Sequence, residues 1–476
     1  RGLTERVFEL YCDGGDWPNA VRVLAAEAPP MLAQGRFESV AARIEALPPQ
    51  VRAGEPAVAY WEGVARLNVD PVAAGASLER AYEGYRQRAD VAGQMRAVEA
   101  AIVSHYLARA DWRPADRWLD VMERLVEGAA RFDSPEAEAR AVSSLAIGLV
   151  YRQPGHPQLP AYLDRLDRVL DAVADRNARV AVAGRLIDGL NKVGELARSE
   201  RVAERIGADI DHPAVRPMTR AWCRVWLAHL AMHRARMDEY DAMLDAARAV
   251  TQAHGLAFFD QVIDLFRVWG LLARGRLPEA AALLAEVSGR LDASRRLDLA
   301  LAHFLRSWHA SLAGDPSEAE REGRMAAQVS LETGSINSTL TCHTGLALAL
   351  DLAGQRAAAL GVLERMKALV PDVRGGMIRF HTGLWEAYLR LRAGDPGHRA
   401  PLAAALALGR REGYLNNYTW WPPMMSRLCA AALEAGLEPD YVRRLVAARA
   451  LAPPPGAAPE GWPWPLRIHA LGALRV

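Results

Sequence analysis

The apolar residues of the chain follow a helical spacing almost from end to end, and one phrase recurs within that spacing. A segment rich in Ala and Leu ends at a Gly, a short polar turn follows, and a second such segment begins. The phrase occupies residues 275–280, 314–319 and 354–359, and a looser copy starts at Gly394. The glycines are 39, 40 and 40 residues apart. This period predicts stacked helix pairs, because a single pair cannot bury both of its apolar faces.

The same phrase continues toward the N-terminus. Ala235 and Gly194 precede Gly275 at steps of 40 and 41 residues, and related phrases occupy residues 15–20 and 110–115, the latter with Ala110 in place of the Gly. We expect each turn residue to take the left-handed conformation that ends a helix, and the Asp or Pro after it to begin the next one. The Ala that comes five residues later is expected where two helices approach closely. The pattern resembles a tetratricopeptide repeat lengthened from about 34 to about 40 residues. It predicts an all-α, right-handed α-solenoid over residues 1–450, followed by a short extended tail.

Composition and charge narrow the function classes. The chain has 476 residues, is 51% hydrophobic and carries a formal net charge of +1. That balance argues against a broadly basic nucleic-acid-binding chain and against an acidic disordered one. All but two of its 58 basic residues are arginine, the exceptions being Lys192 and Lys367. We take this bias as a sign of a GC-rich bacterial genome.

No motif for catalysis, metal or cofactor is apparent. The sequence lacks a GxSxG elbow, an HExxH motif and a Gly-rich dinucleotide loop, and neither lysine stands in a phosphate-binding loop. The four cysteines, Cys12, Cys223, Cys342 and Cys429, are widely spaced, which is typical of a reducing cytoplasm. No apolar run reaches 18 residues, so no membrane span is predicted. The sequence predicts a non-enzymatic cytoplasmic domain without cofactor or metal.

Two end segments carry a more specific resemblance. The phrase at residues 15–20, with Gly35-Arg-Phe-Glu and Leu47-Pro-Pro after it, resembles the opening of the helical-repeat sensor region of MalT-like bacterial transcription activators. These belong to the STAND class of signal-transduction ATPases. Residues 428–433 and 436–445 resemble the helix pair that closes such a sensor. The resemblance implies an ATPase module ahead of Arg1, although none of its residues lies in this sequence.

The C-terminal residues suggest a second module. Pro453-Pro-Pro-Gly456 marks a linker over residues 451–465. In residues 466–476, Leu466, Ile468 and Ala470 alternate with other residues as in a strand. This segment resembles the first strand of the winged-helix DNA-binding domain of SARP-type (BTAD-containing) activators. The chain is therefore expected to be a piece of a DNA-binding regulator that makes no nucleic-acid contact itself.

A concave groove is the first candidate site. In tetratricopeptide-like solenoids the first helix of each pair lines this face, and positions three and four apart form one stripe on it. That stripe is rich in aromatic and hydrogen-bonding residues, which would suit a small polar inducer such as a sugar, or a peptide. The alternative is that the same residues only pack successive repeats together. The candidates are Trp222, His229, Trp269, Trp308, Thr341, Thr344, His381 and Tyr388.

Two further features leave alternatives open. His229 and His233 have the i, i+4 spacing of a metal pair, but no third ligand is evident, and paired groove histidines are favoured. Residues 414–423 form the densest aromatic and amide cluster, from which Asn416 and Trp420 are the site candidates. This corner is either a docking surface or a hydrophobic plug at the end of the solenoid.

The sequence thus predicts a signal-sensing domain of a bacterial transcription regulator. An inducer or a regulatory protein would bind in the groove and control the flanking ATPase and DNA-binding modules. The alternative is a ligand-free interaction scaffold that self-associates.

Overall fold

A computed structural model describes residues 2–67, 69–128, 132–256, 259–369, 375–456 and 459–464. Every regular element within those ranges is helical, in agreement with the predicted fold class. The α-helices are α1 (Gly2–Asp13), α2 (Trp17–Ala33), α3 (Phe37–Glu45), α4 (Pro49–Gly54), α5 (Pro56–Arg66), α6 (Pro71–Gln87), α7 (Val91–Ala108), α8 (Asp116–Gly128), α9 (Pro135–Arg152), α10 (Leu159–Val169), α11 (Arg176–Val193), α12 (Leu196–Ile206), α13 (Pro217–His233), α14 (Met237–Ala253), α15 (Asp260–Ala273), α16 (Leu277–Ser288), α17 (Arg296–Ala313), α18 (Pro316–Glu332), α19 (Ile336–Leu352), α20 (Arg356–Leu369), α21 (Gly376–Arg392), α22 (Arg399–Glu412), α23 (Pro422–Glu434) and α24 (Pro439–Ala448).

The turn residues end helices as the repeat phrase predicts. Gly194, Gly275, Gly314 and Gly354 all have positive φ angles, and Ala235 takes the same left-handed conformation. In the 110–115 phrase the left-handed residue is Arg109, with φ 51°, and not the predicted Ala110. The turn begins one residue earlier there, directly after the end of α7 at Ala108, and the Arg109 side chain forms an ion pair with Asp298.

The helices associate in pairs from α5 onward. We call the odd-numbered members from α5 to α23 the first helices and their even-numbered partners the second helices. Ala280, Ala319 and Ala359, five residues after their turn glycines, are fully buried, as expected of sites where helices approach closely. First helices of consecutive pairs also contact each other, as α9 does with α11 and α17 with α19. The result is a solenoid whose inner wall is built from first helices.

The solenoid closes on itself after five pairs. The last turn of a first helix meets the start of the first helix five pairs further on: α7 meets α17, α9 meets α19 and α11 meets α21. We call this line of contacts the seam. At one end of it the Leu297 amide donates to the Arg109 carbonyl at 2.9 Å, and the Arg109 guanidinium lies 2.5 Å from the Asp298 carboxylate. Further seam bonds join the Trp112 amide to the Thr333 carbonyl (2.8 Å), the Asn337 amide group to the Val150 carbonyl (2.6 Å) and the Leu415 amide to the His233 carbonyl (2.9 Å).

Each end of the chain has its own packing. Helices α1 to α5 enclose a small core around Leu24 and Val40, and Trp61 and Val64 of α5 also pack against the large central core. At the other end, residues 451–456 of the predicted linker follow α24, and the Ser426 hydroxyl donates to the Ala452 carbonyl at 2.7 Å. The predicted strand at 466–476 lies outside the described residues.

Candidate functional site

The inner faces of the first helices meet in one connected aromatic cluster. Trp222 and Trp226 of α13 stack with ring centroids 5.6 Å apart, and Trp222 also lies 5.5 Å from Tyr106 of α7. Further along the same faces, Trp269 of α15 lies 5.9 Å from His229. The candidates Trp222, His229 and Trp269 are therefore brought together, and all three are at least nine-tenths buried.

A buried ion pair lies beside this cluster. The Lys192 ammonium is 2.8 Å from the Asp188 carboxylate and 4.7 Å from the Trp226 ring centroid. The hydroxyls of Tyr106 and Tyr151 donate to the other carboxylate oxygen at 3.1 and 3.3 Å. Burial, followed by the charge of Asp188, raises the pKa of both tyrosines well above the usual range, so that they remain donors. The carboxylate is thus held by three groups from three first helices.

Three histidines from successive superhelical turns share the centre of the solenoid. His229 and His233 belong to α13, and their ring centroids are 4.5 Å apart. His381 belongs to α21 in the next turn, and the Tyr418 ring lies 5.5 Å from His233 and 5.8 Å from His381. Burial lowers the pKa of His233 and of His381 to about 3. It also lowers the pKa of His229 well below its usual value, so all three histidines are neutral at pH 7.

The segment of residues 413–421, between α22 and α23, fills the space between the turns. The Trp269 indole donates to the Tyr418 carbonyl at 3.3 Å, the Tyr414 hydroxyl donates to the Gly194 carbonyl, and Arg234 donates to the Glu412 carbonyl at 2.7 Å. Asn416 and Asn417 are each 1% exposed. The candidate Asn416 and its neighbour Asn417 precede Tyr418, the residue of this segment that contacts His233 and His381. We call His229, His233 and His381, together with Asn416, Asn417 and Tyr418 of the segment, the axial site.

Several polar atoms of the axial site have no hydrogen-bond partner among the described residues. In protein interiors such atoms are normally paired. Here they are Nδ1 of His229, both ring nitrogens of His233, Nδ1 of His381, both amide atoms of Asn416 and Oδ1 of Asn417. His381 does pair through its other nitrogen, which lies 3.1 Å from the Thr419 hydroxyl. The site is bordered by aromatic rings and is rich in unused hydrogen-bonding capacity.

The remaining candidates lie apart from the axial site. Trp308 is fully buried, and its ring packs on that of Phe304, which in turn contacts Trp269. Thr341 and Thr344 donate to carbonyls within their own helix, at 2.9 and 2.6 Å. Tyr388 packs edge-on against Trp385 with centroids 5.8 Å apart. It lies seven residues, or about two helical turns, beyond His381 on α21.

Trp420 lines a separate hollow of about 450 Å³ at the C-terminal corner. The guanidinium carbon of Arg449 lies 4.2 Å from the Trp420 ring centroid, and Arg449 donates to the Ala273 carbonyl at 2.5 Å. Burial lowers the pKa of Arg449 to about 10. Five prolines complete the lining, at positions 422, 423, 453, 454 and 455.

Sequence reasoning missed the ion pair, the tyrosines and Asn417. One signal was present: Lys192 is one of only two lysines among 58 basic residues, and it lies in the interior. Among the described residues, no three His, Cys, Asp or Glu side chains are placed to share a metal ion. In the same part of the chain, no helix combines the length and apolarity that crossing a bilayer requires.

Comparison with known proteins identifies the fold. No protein-family model matches the sequence, and no curated protein matches it either. A Rap protein complexed with competence and sporulation factor has a similar structure, with a TM-score of 0.55 at 12% identity, over 77% of this chain and 98% of that one. The APC/C Cut9–Hcn1 hetero-tetramer matches with a TM-score of 0.41 at 12% identity, over 91% of this chain and 79% of that one. Yeast Tom70 matches with a TM-score of 0.36 at 11% identity, over 91% of this chain and 96% of that one. At such identities the likeness concerns architecture alone: the chain is a tetratricopeptide-like α-solenoid.

Proposed function

We propose that this solenoid is the signal-sensing domain of a bacterial transcription regulator, and that an inducer bound at the axial site sets its conformation. The observation that carries the proposal is a group of seven buried polar atoms that have no partner among the described residues and that come from α13, α21 and the segment between α22 and α23. An unpaired buried polar group costs about 1–3 kcal/mol. A ligand that forms hydrogen bonds with these atoms would therefore gain a large binding free energy.

The ligand class follows from the chemistry of the site. Neutral imidazoles and amides donate and accept hydrogen bonds without carrying charge, and the neighbouring rings of Trp269 and Tyr418 offer stacking faces. These groups suit a small polar molecule with several hydroxyl or amide groups, such as a sugar or a short peptide. The regulatory context, with ATPase and DNA-binding modules on either side, is supported by the resemblance of residues 15–20 and 428–445 to MalT-like activators.

Signal transmission would use the seam. His233 comes from one superhelical turn, His381 from the next, and Tyr418 contacts both. A molecule that binds these three groups at once favours the arrangement in which the turns are closed. Such a ligand shifts the equilibrium only by its difference in affinity between closed and open states.

A pair of buried asparagines provides a matched test. The Asn416 amide has no partner within the part of the chain that the structure describes. The equally buried Asn191 donates to the Trp226 carbonyl at 3.0 Å and accepts from the Ser199 hydroxyl at 2.9 Å. Replacing an unpaired amide by an apolar side chain of similar volume removes a penalty, and replacing a paired one leaves its partners unsatisfied. We expect Asn416→Leu to keep or raise the melting temperature and Asn191→Leu to lower it.

The same variants then test binding. In a thermal-shift screen of neutral sugars and short peptides, at least one compound should raise the melting temperature of the wild type. Asn416→Leu should abolish that shift, and the control Trp308→Phe, outside the axial site, should retain it. If Asn416→Leu destabilises the protein as much as Asn191→Leu does, or if every shift survives it, the axial site is not a ligand site.

A second candidate is a ligand-free scaffold. It is favoured by the fact that residues 413–421 of the chain itself already occupy the interior. Sedimentation velocity over a range of protein concentrations separates the two functions. A reversible oligomer that Asn416→Leu does not affect, with no response in the screen, supports the scaffold.

A further inference from the structure

The hollow beside Trp420 has two walls that come from different parts of the chain. One wall is Trp420 with the start of α23, and the other is residues 449–455, which follow α24. The Ser426 hydroxyl of α23 donates to the Ala452 carbonyl at 2.7 Å and so joins the two walls. Five prolines stiffen these walls, because a proline ring fixes the φ angle of its residue. The volume of about 450 Å³ is that of a preformed small-molecule site.

Arg449 brings a half-buried guanidinium group to this hollow. Its guanidinium carbon lies 4.2 Å from the Trp420 ring centroid, and its Nη2 atom donates to the Ala273 carbonyl at 2.5 Å. Of the five N–H donors of an arginine, this bond uses one, and Arg449 forms no ion pair with any carboxylate of the described residues. Burial and the charge of Arg274 lower the pKa of Arg449, and Arg274 itself is paired with Asp241 at 2.7 Å. Because charged groups inside proteins are normally paired, Arg449 has an unused capacity for an anion.

A second cation borders the same hollow. Arg427 of α23 is exposed, and within the ranges that the structure describes it forms no ion pair either. No Asp or Glu is among the described residues of the lining, and none occurs in residues 461–476 of the sequence. Apart from Ser426, whose hydroxyl is already used, the rest of the lining is Trp, Pro, Leu and Ala. The hollow therefore combines positive charge with apolar walls, an arrangement that concentrates anions.

We propose that this hollow is a second ligand site, separate from the axial site, and that it binds a small carboxylic acid with a flat apolar body. The carboxylate accepts hydrogen bonds from the Arg449 guanidinium, whose planar set of donors matches its two oxygens. The exposed charge of Arg427 adds attraction from the rim. The apolar body packs against the proline rings and Leu451, which removes its surface from water.

Calorimetric titration with sodium 2-naphthoate tests the proposal, with the uncharged 2-naphthamide as a probe of the same shape. The wild type should bind naphthoate at least about tenfold more tightly than naphthamide, because only the acid pairs with a guanidinium group. Arg449→Met keeps an apolar stem but removes the charge, so it should abolish that preference. The matched control is Arg444→Met, which changes an exposed arginine of α24 whose guanidinium carbon lies 5.6 Å from the Tyr441 ring centroid. It should leave both affinities unchanged.

Arg427→Gln keeps the test decisive if Arg449→Met does not fold, since Arg427 is exposed. It should weaken naphthoate binding about threefold and leave naphthamide binding unchanged. Three results overturn the proposal: no binding of naphthoate to the wild type, equal affinity for the acid and the amide, or unchanged naphthoate affinity in both Arg427→Gln and Arg449→Met. Asn416→Leu separates the two sites. Naphthoate binding should survive this substitution, and its loss would place the acid at the axial site and contradict a second site.

Discussion

Gly194 allows two superhelical turns to approach each other, and its replacement by Ala should separate them. A Cβ at this position would lie 2.3 Å from the Tyr414 hydroxyl and 2.5 Å from the Met377 amide nitrogen. Gly354 ends its helix in the same left-handed conformation, φ 79° against 86°, but a Cβ there meets nothing within 4 Å. The substitutions Gly194→Ala and Gly354→Ala therefore impose nearly the same backbone conformation, but only Gly194→Ala introduces close contacts at the seam.

The expected magnitudes follow from that difference. Both substitutions put an Ala in the left-handed region, at about 1–2 kcal/mol. Gly194→Ala also displaces the buried Tyr414 hydroxyl from the Gly194 carbonyl, and an unsatisfied buried group costs about 1–3 kcal/mol. Overpacking against backbone adds about 1–3 kcal/mol. We expect Gly194→Ala to destabilise the seam by at least about 2 kcal/mol more than Gly354→Ala does.

Hydrogen exchange measured by mass spectrometry locates the effect. In Gly194→Ala, the amides of residues 376–380 and 413–420 should exchange at least about 30-fold faster, since 2 kcal/mol corresponds to that factor. In Gly354→Ala, faster exchange should be confined to the neighbourhood of the turn. Equal behaviour of the two variants at residues 413–420 would refute the idea that the seam holds the turns together.

Three further predictions follow from the interior. Asp188→Asn leaves a buried ammonium without its carboxylate and should lower the free energy of unfolding of the central pairs by about 3–5 kcal/mol, measured by native-state hydrogen exchange; an unchanged value would contradict the buried pair. Burial holds the pKa of His233 and His381 at about 3, below their usual value, so the unfolded chain binds protons that the folded chain does not. Their contribution to stability is complete above about pH 6.5 and is lost as the pH falls toward 3, so melting temperatures should decrease from pH 7 to pH 5, and less so in His381→Asn. Arg109→Met removes a seam ion pair and should accelerate exchange of the Leu297 amide, whereas exchange at α5 should not change.

The repeat phrase was sufficient to predict the fold and most of its turns. Each turn requires a residue with a positive φ, usually Gly, then Asp or Pro, then a small residue. These requirements involve only neighbouring residues, so they can be recognised in the sequence. Ala235 confirms how strong the pattern is, because it takes the left-handed conformation without being Gly. The exception is Arg109, which takes the left-handed position in place of Ala110 and pairs with Asp298, a residue 189 positions away.

The closure of the solenoid could not be predicted in this way. The number of pairs per turn depends on small rotations between neighbours, which no single repeat encodes. Without that number, Tyr418 could not be placed between His233 and His381. The groove residues were identified as one stripe, yet only the contact between turns decides which of them, like His229 and His381, join the axial site and which, like Tyr388, lie apart from it.

Chemical footprinting of the axial histidines tests the closed interior most directly. With diethyl pyrocarbonate and mass spectrometry, His229, His233 and His381 should remain unmodified while the exposed His254 reacts readily. In Gly194→Ala the three axial histidines should become reactive. Modification of His233 or His381 in the wild type at a rate similar to that of His254 would contradict a solenoid closed by its seam.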